Sequence, residues 1–390
     1  MSLNKPNPAQ DCYHVLICIN TAWNLANFRA GLIAGLQQAR YDVTAVAPAD
    51  GHETRLTCRF VPLKMDNGGT HPVRDGLLLL RFIRLLRSER PDVFLGYTVK
   101  PNVYGSIACR WLGIPVINNI AGLGAAFVRT SWLTRVVRGL YRLALRQSAV
   151  VFFQNEDDRA LFVSGGIVRA EQTARLPGSG VDLRRFALQP MPLFEPSGNR
   201  PVTFLLIARL LWDKGVGEFV QAGRLLRERG LNVRFQLLGF LDVENPSAVA
   251  REQVDAWCAE GLVEYLGMTD DVRPHIAAAD CIVLPSYREG VSRTLLEAAA
   301  CGRPIVTTDV PGCRDVVEDG VTGLLCRARD GEDLAEKIAQ MVELGAAARE
   351  AMGKMGRGKV EREFDEQLVV TMYLTAIEKV LSDRTTGILH

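Results

Sequence analysis

The stretch 285–298, Pro-Ser-Tyr-Arg-Glu-Gly-Val-Ser-Arg-Thr-Leu-Leu-Glu-Ala, holds two carboxylates, Glu289 and Glu297, eight positions apart around Gly290. An apolar strand pattern ends at Pro285, a loop carries Glu289 and Gly290, and a helix is predicted from near Ser292, a residue type that caps helices. Amides left without partners at 290–294, with the positive end of the helix dipole, would attract an anion. Glu297 lies about five residues into that helix, roughly 7–8 Å along its axis. That is about the separation of a phosphate from an attached ribose, whose hydroxyls a carboxylate accepts. Glu289, on the other side, would hold a hydroxylated group beyond the phosphate. A second set, Arg209 and Lys214, sits five positions apart on a strand-to-helix loop. A planar guanidinium and a point-charge ammonium so placed can reach the two phosphates of a diphosphate. Glutamates at this spacing, or two cations on a loop, are common by themselves. The strand–loop–helix setting is what gives both pairs their chemistry.

The elements that must position these side chains follow from periodicity. Apolar runs at 13–19, 42–47, 92–96, 115–119 and 149–153 read as buried strands, separated by helical patterns at 27–39, 72–87, 101–112 and 131–146. After a Pro-rich stretch at 188–201 the alternation restarts. Strands are predicted at 202–208, 233–238, 263–266, 281–285, 304–308 and 323–326, with helices near 217–229, 246–260, 272–278, 292–300 and 331–344. Repeated β-α-β units predict two doubly wound α/β domains with parallel sheets, and a ligand cleft at the carboxyl ends of their strands. A last helical stretch at 364–381 is followed by no strand and can pack on either domain.

Length and composition agree with two globular domains: 390 residues, 48% hydrophobic and 23% charged, exclude a disordered or fibrous chain. Nine cysteines without Cys-x-x-Cys spacing or a histidine cluster argue against a zinc site or disulfide framework and for a reducing compartment. The N-terminal residues lack the apolar run of a signal peptide, and no uncharged stretch reaches the ~18 residues of a span. A cytoplasmic protein, soluble or peripheral, is the expectation. The net charge of +2 hides an asymmetry. Up to residue 190 there are 23 Lys and Arg against 13 Asp and Glu, a net of +10, while the remainder carries −8. A basic first half suggests an anionic surface or ligand.

Arg209 with Lys214 and Gly215, the run Leu266 to Asp271, Glu289 and Glu297 followed by Ala300-Cys301-Gly302-Arg303-Pro304-Ile305-Val306, and Asp319-Gly320-Val321-Thr322-Gly323 together resemble glycosyltransferase family 4. The resemblance covers nearly all of the second half in order. It implies retaining, nucleotide-sugar-dependent, metal-independent hexosyltransferases of the GT-B fold, two Rossmann-like domains with sheets facing across a cleft. Residues 1–190 would form the acceptor domain, 191–363 the donor domain, and 364–390 a helix crossing back to the first. On this resemblance Arg209 and Lys214 bind the donor diphosphate, and Glu297 takes the ribose. Glu289 and the Val291 and Ser292 amides hold the transferred sugar, and Gly290 is among the donor-binding residues. The Arg293 and Thr294 amides help hold phosphate, and Gly267 and Met268 line the base pocket. Glu289, Arg209 and Lys214 would be the catalytic set, with no metal or cofactor beyond the co-substrate, a nucleoside-diphosphate sugar of the UDP type.

In the first half, Asn27-Phe28-Arg29, the run Tyr97 to Asn102, Ala121-Gly122-Leu123-Gly124 and Gly178-Ser179-Gly180-Val181-Asp182 are similar to family members that extend polyprenyl-diphosphate-linked saccharides in cell-surface polysaccharide assembly. Asn27, Arg29, Lys100, Asn119, Gly122 and Gly124 are the acceptor-side candidates. Many relatives have a glycine pair after the first strand and a histidine near the end of the fourth; here Asn20-Thr21-Ala22-Trp23-Asn24 and Asn118-Asn119-Ile120 stand there. A transferase with a soluble acceptor, or an epimerase of similar fold, are the alternatives. Gly122-x-Gly124 as half of a dinucleotide fingerprint fails, because Phe127 replaces the third glycine. Arg129, Arg135, Arg138, Arg142 and Arg146 interleave with Trp132, Val136, Val137, Leu140, Tyr141 and Leu145; Arg81, Arg84 and Arg87 lie beside Leu78, Leu79, Phe82, Leu85 and Leu86. An anionic inner-membrane surface fits these basic faces, and no motif supports nucleic acid.

Overall fold

The computed structural model describes residues 12–66, 71–122, 132–192, 200–241 and 245–386. The chain divides into two compact units, one of residues up to Ser179 together with those from Gln367 onward, the other Gly180–Glu366.

The first unit runs β1 (His14–Cys18), α1 (Ala22–Phe28), α2 (Ala30–Gln38), β2 (Asp42–Ala47), β3 (Arg59–Pro62), α3 (Pro72–Glu89), β4 (Val93–Tyr97), α4 (Ser106–Leu112), β5 (Val116–Ile120), α5 (Trp132–Leu145), β6 (Val150–Phe153), α6 (Glu156–Ser164) and β7 (Thr173–Arg175). The seven strands pair in parallel in the order β3-β2-β1-β4-β5-β6-β7. Because helices cover both faces, the strands are apolar on both sides. Val15 and Ile17 of β1 point into one core with Leu25, Leu36, Leu95 and Phe152, and Leu16 and Cys18 into the other with Phe82, Phe94 and Val116.

Two expectations for this unit are corrected. The helix predicted from residue 27 starts at Ala22, where Thr21 Oγ1 accepts from the Asn24 amide (3.1 Å); it breaks at Arg29 and resumes as α2. The strands β3 and β7 were not predicted. Both are short edge strands without a fully buried residue, so their patterns lack the apolar run that marks β1 or β4.

The second unit runs β8 (Val202–Ile207), α7 (Val216–Glu228), β9 (Val233–Leu238), α8 (Arg251–Ala259), β10 (Glu264–Tyr265), α9 (Arg273–Ala278), β11 (Cys281–Leu284), α10 (Arg293–Ala300), β12 (Ile305–Thr308), β13 (Gly323–Cys326), α11 (Gly331–Glu343) and α12 (Gly345–Glu363). Its parallel sheet has the order β10-β9-β8-β11-β12-β13. The fully buried Arg303 donates to the carbonyls of Ile276, Ala277, Gln189 and Pro190, and so fastens the segment 189–191 to this unit.

The final helix, α13 (Glu366–Thr385), packs on the first unit: Tyr373, Ile377 and Val380 complete the core around Tyr97 and Phe152. Among the described residues no helix is long and apolar enough to cross a membrane, and all nine cysteines are free.

Candidate functional site

In each sheet the strand order reverses direction once, and side chains after the two strands at that point meet. In the second unit those strands are β8 and β11. After β8 the chain turns through residues 212–214 into Gly215, held in the left-handed region at φ +74°. A Cβ at Gly215 would overlap the Pro285 carbonyl oxygen, so only glycine lets the two loops cross this closely. The Tyr287 amide donates to the Asp213 carbonyl (2.9 Å), and Tyr287 Oη donates to Glu218 Oε1 (2.7 Å). Arg329 lies over the Tyr287 ring, 4.5 Å from its centre. The crossing brings Lys214 Nζ to Glu289 Oε1 at 2.5 Å, with both side chains mostly buried. Arg209 is exposed, and its guanidinium makes no hydrogen bond or ion pair among the described residues.

The turn after β12 fixes the Glu289 loop from behind. The Glu289 amide donates to Pro311 O (3.1 Å) and the Ser292 amide to Gly312 O (3.0 Å). Gly312, at φ +79°, has no room for a Cβ against the Glu289 and Gly290 carbonyls. This corrects the expectation of open amides through 290–294. The Ser292 amide already has a partner, and its hydroxyl makes no capping bond. In the first turn of α10 the amides of 294 and 295 have no carbonyl four residues back within the helix, an arrangement suited to attracting an anion. Thr294 Oγ1 donates to Ile207 O (3.1 Å), which ties that turn to the end of β8. One turn on, Glu297 accepts from Arg293 Nε at 2.7 Å. Burial pushes the Glu297 carboxyl up, and the Arg293 guanidinium draws it back.

At the carboxyl ends of β9 and β10, the Gly239 amide donates to Gly267 O (2.8 Å), and Tyr265 Oη donates to Gly239 O (3.0 Å). Gly239 (φ +146°) has no space for a side chain against the Ala208 carbonyl. Open space adjoins Gly267, and Met268 is 68% exposed beside it, an apolar platform next to Arg209's strand end. The structure therefore gathers Arg209, Lys214, Gly267, Met268, Glu289, Gly290, Val291, Ser292, Arg293, Thr294 and Glu297 along the carboxyl edge of one sheet. Sequence reasoning missed the Gly312 turn, the Tyr287–Glu218 bond and the Arg293 side chain. Of these only the i,i+4 spacing of Arg293 and Glu297 was a readable signal.

The first unit reverses between β1 and β4. A cavity of about 300 Å³ lies there, lined by Asn20, Thr98, Lys100, Asn102, Gly122 and Tyr141 among others. Thr98 has φ +60°, a costly conformation for a β-branched residue. Residues 101–105 form a π-helical turn behind it. Lys100 Nζ pairs with the buried Asp75 Oδ1 at 3.0 Å.

Of the acceptor-side candidates, Lys100 and Gly122 line the cavity, and Gly124 lies outside the described residues. The other three do not line it. Asn27 donates to Trp23 O (2.9 Å) and accepts from Arg55 (3.2 Å). Arg29 is buried over the Tyr97 ring, 4.3 Å from its centre, and donates to Ser179 Oγ (2.8 Å). Asn119 is buried and donates to Tyr373 Oη (2.9 Å), so its side chain anchors α13. Its neighbour Asn118 bridges Asn102, Ser106 and Ser148. The asparagine pair thus serves a buried polar network.

The basic faces also differ from expectation. On α3, Leu78, Phe82 and Leu86 are core residues; the exposed apolar ones are Val73, Leu77 and Leu80, beside Arg74, Arg81, Arg84 and Arg87. On α5, Val136 and Leu143 are exposed with Arg135, Arg138, Arg142 and Arg146, while Arg142 donates to the Gly165 and Gly166 carbonyls. Arg129 lies outside the described residues, as does the side chain of Trp132. Among the described residues no three His, Cys, Asp or Glu side chains come together in a way that would hold a metal ion.

Comparison with known proteins adds to this geometry. Residues 201–343 match the family described as glycosyl transferases group 1, and residues 25–179 match the glycosyl transferase 4-like domain. The N,N'-diacetylbacillosaminyl-diphospho-undecaprenol alpha-1,3-N-acetylgalactosaminyltransferase of Campylobacter jejuni is 26% identical over 381 residues, 92% of this chain and 97% of its own. The UDP-Gal:alpha-D-GlcNAc-diphosphoundecaprenol alpha-1,3-galactosyltransferase of Escherichia coli is 22% identical over 86% of this chain and 91% of its own. Among solved structures, Anabaena Alr3699/HepE in complex with UDP shares the fold, with a TM-score of 0.74 at 19% identity, over 94% of this chain and all of its own.

Proposed function

The chain belongs to the group 1 glycosyltransferases, with a glycosyl transferase 4-like domain ahead of the group 1 domain, and from that premise we propose that it moves a hexosyl group from a UDP-sugar to a saccharide carried on polyprenyl diphosphate. The observation that carries the donor half is the meeting of Lys214 and Glu289 at the β8–β11 reversal, beside Arg209 and the first turn of α10. Two cations and a helix N-terminus suit a diphosphate, and two carboxylates flanking them suit hydroxylated groups on either side. The acceptor half rests on the relatives that use diphospho-undecaprenol substrates and on the cavity containing Lys100 in the first unit.

In the proposed reaction the bond from sugar C1 to the donor phosphate oxygen breaks, and an acceptor hydroxyl bonds C1 on the same face, giving retention. The hydroxyl proton passes to the leaving phosphate. Arg209, Lys214 and the α10 amides stabilise the negative charge that develops on the nucleoside diphosphate. This chemistry needs no resident metal or cofactor.

The test pairs a binding screen against UDP, GDP and ADP with a transfer assay on a synthetic polyprenyl-diphosphate saccharide. A ligand at ~100 times its dissociation constant adds about 2.7 kcal/mol of stability, a visible thermal shift. Arg209→Ala should weaken UDP binding about tenfold, the loss of one charge-assisted contact. Unchanged affinity would remove Arg209 from the site.

The cellular setting we propose is cytoplasmic, peripheral on the inner face of the membrane. The support is the α3 face, where Val73, Leu77 and Leu80 form an exposed stripe flanked by arginines. Each basic residue near an anionic surface contributes about 1 kcal/mol. Replacing Arg81 and Arg84 by serine should therefore weaken co-sedimentation with phosphatidylglycerol vesicles roughly 30-fold. Transfer to a short-chain soluble acceptor should be retained. Equal sedimentation of variant and wild type would move the contact off α3.

A further inference from the structure

Glu297 accepts one hydrogen bond, from Arg293 Nε to Oε1, while its Oε2 has none among the described residues. The two side chains are only 21% and 13% exposed. Five other groups surround the pair. Arg185 draws the carboxyl down as Arg293 does, though less strongly, and Asp271 works against both. Asp271 is itself held by Arg273 (2.8 and 2.7 Å), whose guanidinium also reaches the Arg185 carbonyl (3.3 Å). Glu366 shares the influence of Arg293 and Arg185, and the Cys301 thiol at the end of α10 is pushed up to about 11, chiefly by burial. Burial alone would favour a neutral, freely turning carboxyl, and Arg293 is the one of these cations bonded to it directly.

We propose that Arg293 is a positioning residue for donor recognition: its guanidinium fixes Glu297 Oε1 so that Oε2 faces the ribose hydroxyls of the nucleoside diphosphate as their acceptor. This rests on reading Glu297 as the ribose-binding carboxylate. It gives Arg293 a role through its side chain, separate from its backbone amide. Loss of the guanidinium leaves Glu297 buried with weaker opposition to protonation, so the acid limb of ribose recognition moves to higher pH.

The experiment is calorimetric titration of UDP and 2′,3′-dideoxy-UDP into wild type, Arg293→Gln, Arg293→Lys and Glu297→Gln, at about pH 6 and about pH 8. Wild type should prefer UDP about tenfold, the worth of hydrogen bonds to a charged acceptor. Arg293→Gln should bring that preference to near unity at the lower pH and recover part of it at the higher. Arg293→Lys, which keeps the charge, should retain most of it, and Arg293→Gln with Glu297→Gln together should lose no more than Glu297→Gln alone. If Glu297→Gln keeps the preference, or wild type binds no UDP, the ribose reading falls and the inference with it. If Glu297→Gln loses the preference while Arg293→Gln keeps it, or lowers both ligands equally at both pH values, the inference alone falls. Should the glutamine variant not fold, the lysine variant decides by the same ratio.

Discussion

Glu289→Gln should lower turnover at saturating donor by at least ~10²-fold, the order seen when one group aligned with transition-state charge is removed, while UDP affinity stays within about threefold of wild type. The structure explains why the two measurements separate. Glutamine has the shape to keep a hydrogen bond from Lys214, so the crossing of the two loops at Gly215 and Pro285 is retained. What disappears is the negative charge. In the proposed reaction the departing nucleoside diphosphate gains negative charge as the sugar gains positive charge, and the Glu289 carboxylate lies where it can face the latter. Free UDP carries no sugar and does not need that carboxylate. Without a diphosphate, Lys214 is neutralised by Glu289, so an incoming diphosphate competes with the carboxylate for the ammonium. Removing the charge therefore relieves a competitor, and UDP binding has no reason to weaken. Initial rates and calorimetry on the same preparation check this; equal losses in both would contradict the role.

The frame that places Glu289 was readable in the sequence, and the contacts that hold it were not. The alternation of apolar runs with helical periods located β8, β9, β11, β12 and β13 within about one residue, because strands buried on both faces cannot avoid continuous apolar runs. Helix α6 was missed although Asn155 caps it, accepting from the Asp158 amide at 2.8 Å, and three acidic residues fill its first turn. Helix α12 was missed for a different reason. Gly345, Gly353, Gly356 and Gly358 depress its helix propensity. Gly353 is there because α12 approaches the Gly302 carbonyl too closely for a side chain, a tertiary fact with no local trace. The site divides the same way. In the proposed donor site, Arg209, Lys214, Glu289 and Glu297 are the residues that type and setting single out in the sequence. The amide of Ser292 could not be known to be taken, because its partner Gly312 lies twenty positions away on another loop. On the first unit, Asn119 was read as acceptor-side, and it instead bonds to Tyr373 of the returning helix α13, 254 residues on.

The same kind of long-range constraint makes Gly215→Ala a damaging small substitution in the second unit. Alanine in the left-handed region costs about 1–2 kcal/mol. Its Cβ would also overlap the Pro285 carbonyl oxygen, a backbone atom that no rotamer change can move aside. Overpacking of that kind adds about 1–3 kcal/mol, so a total near ~3 kcal/mol is expected. Gly230 is the control, because it has the same backbone conformation (φ +75°) with nothing near its missing Cβ. Gly230→Ala should cost only the conformational part, ~1–2 kcal/mol, and leave transfer intact. Urea unfolding of the two variants isolates the contribution of the loop crossing as their difference. The functional consequence separates them further. Relief of the overlap must part the Lys214 loop from the Glu289 loop, so Gly215→Ala should also weaken UDP binding and lower turnover below what its folded fraction explains. If Gly215→Ala and Gly230→Ala lose equal stability, and both keep wild-type turnover per folded molecule, the crossing does not position Lys214 against Glu289.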